Sequence, residues 1–186
     1  MQSAQQRYTG VAIALHWLIA AALLSTFLLG QYMTRLDLSP VKLKLYSYHK
    51  WIGVTIFLLV LVRLVWRVLH RPPAHSATMP VWQHKAAGLT HFLLYALTLC
   101  IPISGWLMSS ASGFQVVYLG YFPIPDLLAK NKESAEQLKQ LHESLNWTLL
   151  ALVALHVAAA MKHHLVDRDD VLRRMLPSLN QRNALK

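Results

Sequence analysis

Apolar residues run along this chain in four long blocks, separated by short polar, proline-bearing or charged segments. The first block, VAIALHWLIAAALLSTFLLGQYM, covers about 11–33. The second starts at His49 and continues through WIGVTIFLLVLVRLVWRVL to about 69. The third covers about 84–108 and the fourth about 142–165. At about 1.5 Å of rise per residue, each block is long enough for a helix to cross roughly 30 Å of hydrocarbon. The breaks are as informative as the blocks. TRLDLSPVKLKLYSY turns around Pro40, and HRPPAHSATMP carries Pro72 and Pro73, which cannot continue a helix. Residues 109–141 form the longest connection. Its first part, SSASGFQVVYLGYFPIPDLL, is aromatic and Gly/Pro-punctuated, and is expected to cover one end of the bundle with Tyr118, Tyr121 and Phe122 near headgroup depth. Ser134 with Gln137 reads as a capping box opening a helix that runs into the fourth block. The pattern predicts an all-α fold: an integral membrane four-helix bundle, as a single domain over residues 1–186.

Composition agrees with this. Of the 186 residues, 55% are hydrophobic and 14% charged, where soluble domains carry about a quarter charged. The net charge of +10 would fit nucleic acid, but the cations stand at the ends of apolar runs, as in helical membrane proteins. Nucleic acid is therefore not expected as a partner. The lone cysteine, Cys100, excludes an intrachain disulfide and tells nothing about redox compartment. The first block is too long for the apolar core of a cleaved signal and follows only Arg7, so it is expected to be retained. Eleven Lys/Arg fall on the side of the N-terminus, the second loop and the tail, against seven on the other. That excess places both termini in the cytoplasm.

With alternating spans, each histidine acquires a depth. His142 and His156 lie fourteen residues apart in one block, so roughly 21 Å apart along a helix axis and within about 40° of the same stripe. His49 joins His142 near the outer face; His16 and His91 join His156 one to two turns inside the inner face. The outer layer thus offers one pair, and the inner layer two ligands and a spare. A structural zinc site wants four closed N/S donors. Layers of two or three imidazoles, without cysteine or buried carboxylate, suit a bis-histidine haem better. Fourteen residues on from His16, His49 and His91 stand Gly30, Arg63 and Gly105. Glycine at such a level removes a side chain where a flat macrocycle would approach the backbone. Arg63 at inner depth is a candidate contact for a haem propionate or a quinone, and His91 a candidate for the same roles. Snorkelling to headgroups is the plain alternative for Arg63 and Arg67. His163 stands two turns beyond His156 on the same face and is a candidate quinone contact, because imidazoles exchange protons near neutrality. His70, His75 and His84 read as ordinary loop or loop-edge residues.

The segments LHW, YHKWIG, HESLNW, LHVAAA and KHHLVDRDDVLRRMLP together resemble the bacterial cytochrome b561 family over nearly the whole chain. The resemblance implies a bacterial inner-membrane bundle holding two b haems between its helices and exchanging electrons with ubiquinone. Carried over by position, it implies His16 and His156 as axial ligands of the inner haem iron, and His49 and His142 of the outer. One branch of the family is a superoxide oxidase, which makes superoxide the leading outer-face donor and superoxide:ubiquinone oxidoreduction the expected reaction. Lys42, Lys44 and Lys50 cluster at the outer end and would attract a small anion or an acidic periplasmic redox protein; capping of helix ends is their plain alternative. Two rivals stand beside this reading. One is a haem b membrane anchor relaying electrons for a dehydrogenase or hydrogenase complex, and the other is a histidine-based metal transporter.

Overall fold

The computed structural model describes residues 7–70, 73 and 80–177; Arg71, Pro72, His75, Arg182 and Lys186 lie outside them. Four helices carry the fold: α1 (Gly10–Thr34), α2 (Pro40–Leu69), α3 (Val81–Ser112) and α4 (Lys132–Lys162). All four are long and apolar enough to cross a membrane. Each helix is longer than its apolar block, and three of the four open on a polar capping side chain. Thr9 accepts from the Ala12 amide, and Ser39 from the Lys42 amide with Pro40 in the first turn. For α4 the cap is Asn131 rather than Ser134. The Asn131 side chain accepts from the Ser134 amide at 2.9 Å, so the candidate capping box lies inside the first turn. His84 likewise sits within α3, not at the edge of a loop.

The helices pack in series, α1 on α2, α2 on α3 and α3 on α4. The tight core lies among the first three, where Ile19, Ile56 (2% exposed) and Val60 (1%) meet Leu99 and Tyr95. Apart from Leu149, α4 buries none of its residues fully. The apolar side chains on the outside of the bundle are what a hydrocarbon environment solvates.

Two ends can be told apart. At one, β1 (Val116–Tyr118) and β2 (Phe122–Ile124) form an antiparallel hairpin pairing Val116 with Ile124. We call this the hairpin end. The aromatic connection is thus a short hairpin, pinned to the bundle by indole donors. Trp51 Nε1 donates to the Val117 carbonyl at 2.7 Å and Trp106 Nε1 to that of Pro125 at 3.1 Å. At the other, terminal, end α4 runs into a single π-helical turn (His163–Asp167), and the tail folds back across the bundle through a 3₁₀ turn (Arg173–Met175). Trp17 Nε1 donates to the Met175 carbonyl at 2.8 Å and Arg7 Nη2 to that of Arg173 at 3.3 Å, so the tail is tied to α1.

Candidate functional site

The histidines fall into two layers, one near each end. At the hairpin end, His49 of α2 and His142 of α4 face each other with ring centroids 6.3 Å apart. At the terminal end, His16 of α1 and His156 of α4 stand at the same 6.3 Å. His91 of α3 is closer to His156, at 5.5 Å. An imidazole nitrogen sits about 2.0 Å from a transition metal and about 1.2 Å from its ring centre, so two imidazoles on opposite sides of one metal hold their centroids about 6.4 Å apart. Both 6.3 Å pairs fit that span, and the His91–His156 distance falls short of it. Plain edge contacts between rings also cover about 4.5–7 Å, so the surroundings of the rings must decide.

At the hairpin end they favour ligation. His49 Nδ1 is 3.1 Å from Thr26 Oγ1. His142 Nδ1 is 3.0 Å from Ser104 Oγ and 3.1 Å from the Ile101 carbonyl. With Nδ1 occupied on both rings, Nε2 is left for something else, and the bonds fix ring orientation as metal-bound histidines require. The glycines fourteen residues from His16 and His91 lie here too. A Cβ on Gly30 would meet His49 Cε1 at 3.2 Å, and one on Gly105 would meet His142 Cε1 at 3.1 Å. Within the protein, the group that comes close to each glycine is therefore an imidazole. Small residues on α1 and α3 let the two rings settle between helices.

At the terminal end, Arg63 spans three helices, its Nε donating to the Tyr95 hydroxyl and its Nη1 to the Ala12 carbonyl, both at 3.0 Å. Arg67 lies 5.9 Å from the centre of the Tyr95 ring. Arg63, Arg67, Trp66 and Tyr95 line an open cleft at this end. His163 Nδ1 contacts Asp169 Oδ2 at 2.6 Å. His70 stacks on Trp66, centroids 3.9 Å apart, as a residue at a helix end.

The model of the prokaryotic cytochrome b561 family matches residues 7–178. The chain belongs to that family. Cytochrome b561 homolog 2 of Escherichia coli (strain K12) is 35% identical over 172 residues, covering 92% of both chains. Cytochrome b561 homolog 1 of the same strain is 29% identical over 177 residues, covering 92% of this chain and 97% of its own. A probable superoxide oxidase, CybB, of Yersinia pestis is 25% identical over 183 residues, with the same two shares. As a prokaryotic cytochrome b561, the protein is a multi-pass membrane protein of electron transfer, and family membership implies haem b. The transporter alternative falls with that assignment. Thr26, Ser104 and Asp169 escaped sequence reasoning. Lone hydroxyls inside apolar runs were the only trace of the first two, and Asp169 was one of several charges in a polar tail.

Proposed function

We propose that the protein binds two b haems, one between His49 and His142 and one between His16 and His156, and carries electrons from a donor at the hairpin end to ubiquinone at the terminal end. The observation that carries this reading is the repeated 6.3 Å spacing in two layers of one bundle. When bound, the haems accept and release single electrons. His49 and His142 would hold one haem and His16 and His156 the other, and α4, which supplies a histidine to each layer, would set their spacing. On this reading Thr26 and Ser104 orient the hairpin-end ligands. Arg63, and His91 beside His156, face the terminal-end haem or the quinone as charge-assisted donors.

Superoxide is the donor we favour, and the Yersinia pestis relative described as a probable superoxide oxidase supports it. The cations of the hairpin end bear on its approach. Lys42 Nζ donates to the Leu36 carbonyl at 2.5 Å and Lys50 Nζ to that of Phe114 at 3.2 Å. These bonds hold both lysines in place at the hairpin end, Lys50 next in sequence to His49, rather than leaving them as loose caps. An anion drawn to this end would come up to the His49–His142 pair, where a bound haem would supply the one-electron chemistry. The terminal end then faces the cytoplasm, in line with the Lys/Arg asymmetry.

Purified protein in detergent is expected to carry two haems per chain and to reduce a short-chain ubiquinone when superoxide is generated beside it, with no other subunit present. One haem per chain would remove the two-layer assignment. Quinone reduction that needs a co-purified partner would turn the reading toward a membrane anchor.

A further inference from the structure

The terminal end holds an arrangement that electron transfer alone does not use. His163 follows His156 by seven residues on α4, two turns further and within about 20° of the same face. Its side chain is 15% exposed, and its Nδ1 lies 2.6 Å from Oδ2 of Asp169, itself 21% exposed. The local backbone is built to bring them together. The π-helical turn is closed by the Arg168 amide donating to the His163 carbonyl, the Asp169 amide joins it on that carbonyl at 3.1 Å, and Arg168 takes the left-handed conformation (φ 53°) that reverses the chain. Asp169 Oδ1 accepts from the Val171 amide at 3.0 Å, leaving Oδ2 for the histidine. Asp167 also approaches His163, at 3.2 Å, but both its oxygens bind Lys162, at 3.0 and 2.7 Å. The tail beyond is tied to α1 through Trp17 and Arg7, so Asp169 sits on a segment anchored on both sides.

We propose that Asp169 is a positioning residue for proton delivery: it holds His163 so that Nε2 donates a proton to a quinone oxygen at the terminal end. The proposal rests on quinone being the electron acceptor. Reducing one quinone to quinol consumes two electrons and two protons. The electrons arrive singly along the bundle, and the protons come from water on the terminal side. In each transfer the Nε2–H bond breaks and an O–H bond forms on the quinone. Asp169 accepts from Nδ1–H throughout, so that the proton leaves from Nε2 and bare Nε2 takes its next proton from water. A carboxylate that fixes one ring nitrogen of a catalytic histidine does the same in hydrolytic triads. The seven-residue step from His156 puts the proton donor roughly 10 Å along the axis from the nearest proposed ligand, below the electron exit.

The test is anaerobic stopped-flow on full-length, haem-loaded protein, pre-reduced with dithionite and mixed with a short-chain ubiquinone. Asp169→Asn keeps the oxygen that accepts from Val171 and loses the carboxylate. It should slow haem re-oxidation roughly 10- to 100-fold, enlarge the solvent deuterium isotope effect, and leave quinone affinity and superoxide-driven haem reduction within twofold of the parent. His163→Gln should slow re-oxidation and enlarge the isotope effect at least as much, with weaker quinone binding allowed because His163 itself meets the quinone, and Asp169→Glu should recover part of the rate. Haem content and melting temperature check that each variant is folded. Parent-like re-oxidation and isotope effect in both Asp169→Asn and His163→Gln would overturn the dyad while leaving the quinone reading standing. Failure of quinone to re-oxidise the parent protein would overturn the quinone reading and the dyad with it.

Discussion

At the scale of single residues, two of the four proposed ligands, those of the hairpin end, stand out by what surrounds them. His49 and His142 have Nδ1 tied to Thr26, Ser104 and the Ile101 carbonyl, and each ring lies against a glycine. His142→Ala is therefore expected to lower haem content from two to one per chain and leave the terminal-end signal in the reduced spectrum. Loss of both or of neither would refute the pairing. Gly30→Val tests the close approach separately. A branched side chain with its Cβ already 3.2 Å from His49 must push the ring aside, so the hairpin-end haem should be lost or shifted in potential while the other is unchanged. The histidines themselves were legible, because an imidazole in an apolar run is costly without a function. Their depths followed from helix arithmetic. The glycines were also visible at fixed spacing, but the imidazole that lies against each of them comes from another helix and left no trace in that spacing. Hydroxyl partners such as Thr26 and Ser104 come from other helices, and spacing along one helix carries no trace of such a contact.

At the scale of elements, the long helices were readable and the short pieces were not. A block of about twenty apolar residues has one solution in hydrocarbon, since only a helix satisfies every backbone group internally. Strands of three residues, such as Val116–Tyr118 and Phe122–Ile124, show no periodicity to detect, and this hairpin exists because Trp51 and Trp106 hold it. Its turn places Leu119 at φ 54°, a conformation that costs a non-glycine residue roughly 1–2 kcal/mol. Leu119→Gly should accordingly raise the thermal midpoint, by a stability gain of about 0.5–1 kcal/mol once glycine's extra chain entropy is subtracted. A lowered midpoint would show that the Leu119 side chain contributes packing that outweighs the strain. The start of α4 was misread because Ser134 and Gln137 fit a motif, while Asn131 sat further out among lysines. Asn131→Ala should lower stability by about 1 kcal/mol, and Ser134→Ala by much less, in paired melts.

At the scale of the whole molecule, an even number of crossings puts both termini on one side of the membrane. Reporter fusions at the two ends should report the same compartment, which on the proposed orientation is the cytoplasm. The packing order also bears on assembly. α1, α2 and α3 share a tight core around Ile56 and Val60, while α4 packs on α3 and meets α1 and α2 through histidine rings and the Phe27–Trp147 pair. If haem bridges those rings, it is the mortar between α4 and the first two helices, and a ligand that binds only the folded state adds its binding free energy to stability. Protein made under haem starvation should melt at lower temperature and be cut by protease near α4 first. Equal protease resistance with and without haem would show that the helices hold one another unaided.

One helix supplies a candidate ligand to each layer, and that makes α4 a ruler. The fourteen residues from His142 to His156 fix both the distance between the two histidine layers and their relative bearing. Neither can be tuned by moving a loop. A single residue inserted between them would turn His156 by about 100° and advance it about 1.5 Å, presenting it to the wrong neighbour while His142 stayed seated. A seven-residue deletion would keep the bearing within about 20° and halve the gap. The length of this one segment is thus a quantity on which selection can act directly, and its natural grain is the turn of a helix rather than the single residue.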